Sequence, residues 1–331
     1  MAKFLVKRIL YIILVLFAVS FIIFMLFRTM PGDPVDIFIP PEAQQAMEPF
    51  QLELQRQAII QEMGLDQPNV IQYFYWLAAM IRGDFGVSME SRLPVLDHIR
   101  SPLISTAIIN IISMIIILGI TIPVGVICAI KRGKFFDNFS LVFSTVGLSI
   151  PNFLFGLILI VLLVVLLPGD FFPLFGMASP VPPPEGTWAW YADRIRHMIL
   201  PLMTLVLVGL AGMIRFVRSA MIDSLNMDCV RTARAKGLKE KTVIYVHAFR
   251  NALIPIITVM AGFVIALFSG SVLIEMTFSW QGMGWIMITA LNMRDIAVLM
   301  TVNLFYALIA FVGILILDIL YVFIDPRIRF E

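Results

Sequence analysis

Apolar residues in this chain are gathered into long runs, which are separated by polar and charged segments. A run of about 20 apolar residues is long enough to cross the hydrocarbon core of a bilayer as a helix. The pattern therefore predicts an all-α membrane protein with six transmembrane helices. The predicted spans are Ile9–Phe27, Leu103–Ile130, Phe139–Leu167, Met198–Ile214, Ala252–Ile274 and Ile296–Ile324.

In two of these runs a proline lies far from both ends, Pro123 and Pro151, where it would break a helix in a soluble protein. Membrane helices accept proline where neighbouring groups bond the freed carbonyl, and they often bend there. A bend is therefore predicted at Ser149, Ile150 and Pro151. Between the third and fourth runs, the segment Pro168–His197 is rich in proline and aromatic residues, and it is interpreted as an ordered loop at the membrane surface.

Composition agrees with a membrane location, because 60% of the residues are apolar and only 14% are charged. The charged share is roughly half that of soluble domains. The distribution of cations then gives an orientation. With the N-terminus inside, sixteen Lys and Arg residues lie on the inner side and eight on the outer side. Cytoplasmic loops carry the excess of Lys and Arg, so both termini are predicted inside, N-in and C-in.

The first long polar segment, residues 29–102, is predicted to be an extracytoplasmic insert with two amphipathic helices, Phe50–Met63 and Val70–Ile81. The second of these helices carries a run of aromatic residues from Tyr73 to Trp76. Aromatic side chains are enriched at membrane–water interfaces, so one interpretation places this helix along the outer membrane surface. The alternative is a small packed cap with an aromatic core.

The second long polar segment is the loop 215–251, between the fourth and fifth runs, which carries eight Lys and Arg residues against three acids. Asp228 is suited to a helix N-cap, and Gly237 to the position just after a helix C-terminus. Lys236 would then lie near the negative end of the helix dipole. A short helix with defined ends, Cys229–Lys236, is therefore predicted.

Two small residues of that helix, Ala233 and Ala235, would let the surface of a partner approach the backbone closely. A second helical stretch, Lys241–Leu253, is predicted to lead the chain back into the membrane. The alternative interpretation of the whole loop is that its basic residues only bind anionic membrane lipid. Periodicity by itself does not decide between the two.

Within the spans, three small residues, Gly262, Ala266 and Gly270, follow one another at intervals of four, a spacing that permits close helix contact. They are predicted either to line a pathway or subunit interface or to pack inside the subunit. Asp318 is the ionisable residue that lies well inside a predicted span, near its cytoplasmic end. A structural role is favoured for it, because a proton relay normally needs more than one such group.

Several kinds of chemistry have no support in the sequence. Both cysteines fall on the predicted cytoplasmic side, which argues against a disulfide, and the three histidines are too far apart to form a recognisable metal-binding set. The GxxxxGK[ST] motif that binds nucleotide phosphates is missing from the sequence. No catalytic residue, metal, bound cofactor or nucleic-acid partner is therefore expected.

Two strings in the basic loop, VRTARAKGL and HAFRNALIP, resemble the cytoplasmic EAA loop of permease subunits in bacterial ABC importers, in particular the dipeptide, oligopeptide and nickel group. The resemblance spans nearly the whole chain. Further similar strings are KRILYIILVLFAVSFIIFMLFRTMPGDP near the start, RGDFGVS (Arg82–Ser88), FSWQGMGW (Phe278–Trp285), RDIAV (Arg294–Val298) and DILYVFIDPRIR (Asp318–Arg329).

The sequence departs from the family pattern at two places. Arg231, Thr232 and Ala233 stand where the general family loop has Glu-Ala-Ala, which fits the variant of the peptide group rather than the sugar or amino-acid importers. Gln281 stands where the peptide group commonly has proline, which puts only the local turn in doubt.

The resemblance implies the type I ABC importer permease fold. Residues 1–28 would form the first transmembrane helix with a cytoplasmic N-terminus, residues 29–102 the insert, and residues 103–331 a core of five helices with the coupling loop 215–251. The short helix would be the coupling helix, which contacts an ATP-binding subunit through Asp228, Val230, Arg231, Thr232, Ala233, Arg234, Ala235, Lys236, Gly237 and Leu238.

The resemblance also implies partners and a cargo. The partners would be two ATP-binding subunits that hold ATP and Mg, a second and paralogous permease, an extracytoplasmic substrate-binding protein and membrane lipid. Peptides are the implied cargo, with nickel, glutathione and oligosaccharide as alternatives within the family. An ion-coupled secondary transporter, the alternative from another class, would need buried acidic pairs or broken helices in matching halves. A membrane-embedded enzyme would need catalytic groups at one depth.

Overall fold

A computed structural model of the protein describes residues 2–29, 35, 39, 45–62, 64–166 and 171–324. These residues form helices, and among them the only β-type pairing is an isolated bridge between Val87 and Pro94. The predicted all-α fold is confirmed. The helices are α1 (Ala2–Arg28), α2 (Pro49–Glu62), α3 (Asn69–Ile81), α4 (Val95–Ile130), α5 (Phe135–Ser149), α6 (Asn152–Ile160), α7 (Trp188–Leu225), α8 (Asp228–Ala235), α9 (Glu240–Thr242), α10 (Phe249–Ser269), α11 (Val272–Thr277), α12 (Met283–Met293) and α13 (Ile296–Ile324).

Two segments have π-helical hydrogen bonding. The first, Val161–Val165, follows α6, and the second, Val243–Ala248, lies between α9 and α10. Because α9, the second π-helical segment and α10 are continuous, the chain is helical from Glu240 to Ser269. The helical stretch predicted from Lys241 to Leu253 is thus present, as the first part of a longer helix.

Within the described residues, five helices are long and apolar enough to cross a membrane, and a bent pair of helices gives a sixth candidate. The bent pair is α5 with α6 and the first π-helical segment, at an angle of 100°. Ile150 and Pro151 both have extended backbone at the break, and proline has no N–H to continue a helix. The predicted bend is confirmed. The five spans are Val6–Arg28, Val95–Ile130, Trp188–Leu225, Glu240–Met260 and Ile296–Ile316.

Two predicted spans were wrong in length. Helix α7 has 38 residues and begins at Trp188, inside the segment predicted as a loop, because the Thr187 hydroxyl accepts a hydrogen bond from the Trp190 N–H and caps the helix. The fifth span was predicted to end at Ile274. The helix that carries it, α10, ends at Ser269, because Gly270 turns the chain with a φ of 68°.

The described residues form two compact units. One consists of the described residues among 1–100 and 289–308, and the other of the described residues among 101–288 and 309–324. Residues 289–308 thus group with the first hundred residues, and the division predicted at residues 28 and 102 stays a prediction.

In the first unit, α3 packs against α1 through one aromatic side chain. Tyr73 is fully buried, and its hydroxyl lies 2.9 Å from the Ser20 Oγ. Phe74 and Tyr75 are exposed. The buried aromatic contact of α3 is thus made with α1 and not within a separate cap. The other aromatic side chains leave an exposed aromatic surface on the helix. The Tyr73 ring lies edge-on to Phe17, Phe21 and Phe24.

The RGDFGVS and RDIAV strings meet in the same unit. The Asp295 carboxylate is buried and accepts hydrogen bonds from the Ser88 hydroxyl (2.9 Å) and the Met89 N–H (2.6 Å). Its other oxygen accepts from the Val298 N–H (3.2 Å), which caps the start of α13. One carboxylate thus fixes the end of the insert to the start of the last helix.

In the second unit, α7 packs against α5, α6, α10 and α11. Small residues let neighbouring helices approach it closely. A Cβ added to Gly147 of α5 would lie 2.6 Å from the Ala211 Cβ, and one added to Gly125 of α4 would lie 2.6 Å from a Val217 side-chain carbon. Larger residues at either glycine would push the helices apart.

Candidate functional site

Helix α8 is the element that the sequence singled out, and it follows α7 after two linking residues. It begins at Asp228, with the extended Met227 before it, so the prediction of Asp228 as the N-cap was wrong. The short link from α7 places Met227 at the cap position, where its carbonyl accepts from the N–H groups of Val230 (3.1 Å) and Arg231 (3.3 Å). The Asp228 carboxylate still lies in the first turn, where it is favoured by the helix dipole.

The C-terminal end of α8 matches the prediction. Gly237 has a φ of 74°, its N–H donates to the Arg234 carbonyl (2.9 Å), and the Leu238 N–H donates to the Ala233 carbonyl (3.4 Å). This pair of bonds is the Schellman motif, in which glycine takes the left-handed conformation. The helix therefore has a defined end, and Lys236 is its C-cap residue.

One face of α8 is buried against the chain itself. Val230 is fully buried and Ala233 is 4% exposed. Both belong to an apolar cluster that includes Met221 of α7 and, from the second π-helical segment, Val243 and Ile244. The prediction that Ala233 makes room for a partner was therefore wrong, because its methyl group fills a site in this subunit's own core.

The rest of α8 and the turn after it face outward. Ala235, the other small residue, is exposed, and its contact with a partner stays a prediction. The outward residues carry more cations than acids, so the surface is basic. The exposed members of the predicted contact set are Asp228, Arg231, Thr232, Arg234, Ala235, Lys236, Gly237 and Leu238.

Two polar contacts hold the loop that contains α8 in place. The Ser224 hydroxyl, near the end of α7, donates to the Ala248 carbonyl at the end of the second π-helical segment. The Arg234 guanidinium donates to the Glu240 carboxylate (2.8 Å), which links α8 to α9. The bond to Glu240 raises the pKa of the Arg234 guanidinium above its ordinary value.

The ridge of small residues predicted in the fifth span is interrupted at Gly270. Gly270 lies outside α10 and turns the chain, so it cannot continue a helical row with Gly262. Gly262 is exposed, with open space around its Cβ position. Ala266 lies outside the residues whose side chains the structure describes. Whether Gly262 borders a pathway stays a prediction.

The bend residues Ser149 and Pro151 are both exposed. The Ser149 hydroxyl donates to the Thr145 carbonyl one turn earlier in α5 (2.8 Å). Their place at the break of the bent pair is confirmed, and a part in the pathway stays a prediction, as does the role of Asp318.

Sequence reasoning missed a buried carboxylate on α11. Glu275 is 4% exposed and accepts hydrogen bonds from the Thr106 hydroxyl (2.9 Å) and the Trp285 N–H (3.0 Å). A Cβ on Gly270 or on Gly282 would lie within 2.7 Å of its Oε1 atom. The sequence did contain a signal for this packed carboxylate, namely the glycines on either side of it, Gly270 before and Gly282 after.

Comparisons with known proteins agree with this architecture. Residues 121–330 match the family described as "Binding-protein-dependent transport system inner membrane component", and residues 1–107 match its N-terminal family, "Binding-prot-dependent transport system membrane comp, N-term". The chain is 38% identical over 332 residues to the oligopeptide transport system permease protein AppB of Bacillus subtilis (strain 168), covering all of both chains.

A second relative is the glutathione transport system permease protein GsiC of Escherichia coli (strain K12), which is 35% identical over 334 residues, again across all of both chains. Several apolar helices, two family matches that together cover most of the chain and full-length relatives point the same way. The chain belongs to the family of binding-protein-dependent transport system inner membrane components, which are multi-pass permease subunits of ABC importers with the type I permease fold.

Proposed function

We propose that this chain is one of two permease subunits of an ATP-driven importer, which carries di- or oligopeptides delivered by an extracytoplasmic binding protein. The second permease is a paralogue, and ATP with Mg is bound and hydrolysed on two separate subunits. The observation that carries the proposal is the two-sided character of α8. Its inner face is held in this subunit's core, while its basic outer face is free to contact a partner.

The contacts of α8 determine what docking does to the rest of the chain. Because Val230 and Ala233 are buried against α7 and the second π-helical segment, α8 moves together with both of them. Closure of the ATP-binding subunits therefore displaces α7 and the helix Glu240–Ser269 at their cytoplasmic ends. The membrane helices change from inward-open to outward-open, and the binding protein releases its cargo into the cavity.

The names of the relatives support peptide-like cargo. AppB is named for oligopeptides, and GsiC for glutathione, which is itself a tripeptide. A di- or oligopeptide is the first choice, glutathione the second, and nickel complexes and oligosaccharides have less support. The binding protein is expected to make most of the selection.

Docking through α8 is tested by reversing charge on its outer face. The double variant Arg231→Glu with Lys236→Glu changes two exposed side chains. The matched control is Lys131→Glu with Lys134→Glu, which reverses two exposed cations in another predicted cytoplasmic loop. A tagged permease is purified in mild detergent after co-expression with the other subunits, and the retained ATP-binding subunits are quantified.

The α8 variant is expected to lose the ATP-binding subunits, and the control to retain them. If the loop only bound anionic lipid, the two variants would behave alike. Recovery of the unaltered chain without any ATP-binding subunit would contradict the proposal. Cargo is then tested by ATP hydrolysis of the intact importer with its binding protein, in the presence of a dipeptide, a longer peptide or glutathione.

A further inference from the structure

A buried ion pair joins α5 to α7. Arg218 of α7 donates from Nε and Nη2 to the two carboxylate oxygens of Asp137, and the Nη2–Oδ2 distance is 2.8 Å. Asp137 is fully buried, and the Arg218 side chain is 17% exposed. A two-point contact between a guanidinium and a carboxylate fixes direction as well as distance. The pair therefore sets the orientation of α5 on α7.

The environment of the pair compensates the buried negative charge. Asp137 lies in the first turn of α5, where the helix dipole favours a carboxylate. The Gly133 N–H also donates to its Oδ2 atom (2.8 Å). A buried pair of this kind adds little net stability, but removal of one partner leaves an uncompensated charge that is costly. The arrangement is thus suited to fixing a geometry.

The pair lies between α8 and the bend of the α5–α6 span. From Arg218, α7 continues for seven residues to Leu225, a length of about 10 Å at the rise of an α-helix. After two linking residues, α8 begins. On the other side, Asp137 lies in the first turn of α5, which ends at Ser149, where the span bends. A second close contact, between Gly147 and Ala211, joins the same two helices further along.

We propose that the Asp137–Arg218 pair is a rigid joint, which passes the displacement of α8 through α7 to α5 and hence to the bent α5–α6 span. Asp137 and Arg218 are then positioning residues for transport. This inference rests on the proposed function, because it requires α8 to receive the motion of an ATP-binding subunit.

The test compares Arg218→Gln, Asp137→Asn and the double variant with an Arg215→Gln control. Arg215 lies on α7 one turn before Arg218 and is exposed, so its loss removes the same charge without breaking the pair. Each variant is studied in the complete importer. Three quantities are measured: the yield of complex with bound ATP-binding subunits, the rate of ATP hydrolysis, and the uptake of cargo per ATP hydrolysed.

Arg218→Gln is expected to lower cargo uptake per ATP by roughly tenfold, in the range seen when mutations change the coupling between distant sites. Arg215→Gln is expected to leave that ratio unchanged. Both single variants also lower the yield of complex, because each leaves one buried charge unpaired. The double variant has no unpaired charge, so its yield recovers while uptake per ATP stays low.

Recovery of uptake per ATP in the double variant would overturn the inference, since the pair would then matter only for folding. Equal ratios for Arg218→Gln and Arg215→Gln would overturn it too. If the unaltered permease retains no ATP-binding subunit, the proposed function has failed instead, and that result is distinct.

A second measurement keeps the inference falsifiable if the double variant does not assemble. Spin labels at the exposed positions Phe139 of α5 and Ser219 of α7 leave the pair intact. A rigid joint keeps the distance between these labels constant in the nucleotide-free and ATP-bound importer. A change in that distance would show that the two helices move apart, which contradicts the inference.

Discussion

The Thr106 hydroxyl and the Glu275 carboxylate are joined by a buried 2.9 Å hydrogen bond, although 169 positions separate them in the chain. The same hydroxyl accepts a hydrogen bond from the Met283 N–H (2.8 Å). One threonine therefore links α4 to both α11 and the start of α12. The second Glu275 oxygen accepts from the Trp285 N–H, so the carboxylate organises the whole turn that follows Gly270.

This arrangement predicts that Glu275→Gln destabilises the permease. The amide keeps the size of the side chain, but its NH2 group would face backbone or hydroxyl donors instead of accepting from them. A loss of about 1–3 kcal/mol is expected for such a buried mismatch. Thermal unfolding of the purified permease in detergent measures it. Glu185→Gln, at an exposed position, is the control, and equal unfolding temperatures for the two variants would contradict the assignment.

Gly282→Ala is expected to be more damaging than the loss of the carboxylate. An added Cβ would lie 2.6 Å from the Glu275 Oε1 atom and also against the Thr106 hydroxyl, so the turn has to move. The level of folded permease in membranes should fall sharply. Gly119→Ala is the matched control, because its Cβ position in α4 has open space around it. Similar membrane levels for the two variants would contradict the close packing.

At the end of α8, the substitution Gly237→Ala tests conformation without a steric clash. No atom lies within 4 Å of the Cβ position, so the cost arises from the φ of 74° alone. That cost is about 1–2 kcal/mol for a residue with a side chain. The end of α8 should fray, and cargo uptake should fall while membrane insertion stays normal. Gly237→Asn is the comparison, because asparagine tolerates the left-handed region and should retain more uptake.

The two alanines of α8 should respond oppositely to added bulk. Ala235→Trp leaves the fold intact, because the side chain points outward, but it blocks the approach of an ATP-binding subunit. Ala233→Trp overpacks the cluster around Val230 and costs at least about 1–3 kcal/mol of stability. Thermal unfolding and co-purification of the ATP-binding subunits separate the two effects. A stable Ala233→Trp permease, or a destabilised Ala235→Trp one, would contradict the assignment of the faces.

The features that could be predicted from the sequence are those with local causes. The spans follow from apolar runs, which the bilayer requires to be helical. The end of α8 follows from Gly237, and the bend from Pro151, because left-handed backbone and a missing N–H act within a few residues. These elements were predicted from neighbouring positions alone, and the structure confirms them.

The features that were missed depend on contacts between distant positions. The spacing of Val230 and Ala233 places both on one face of α8, but what that face packs against depends on Met221 and the second π-helical segment. Asp295 and Ser88 lie 207 positions apart, and Asp137 and Arg218 lie 81 apart. Gly270 follows Gly262 and Ala266 at the spacing of a helix-packing ridge. In the structure it instead forms a turn, with its Cβ position 2.7 Å from the Glu275 Oε1 atom.

Because α8 has one buried and one exposed face, substitutions on the exposed face leave its packing on this subunit unchanged, whereas substitutions on the buried face alter it. Related permeases that share the buried pair Val230 and Ala233 can exchange the outward residues of this helix without altering how it sits on its own subunit. Exchange of those outward positions alone is then expected to transfer the preference for a particular ATP-binding subunit. Exchange of the entire loop would also import foreign core residues. Partner choice can therefore diverge among duplicated transport systems while the membrane scaffold remains the same.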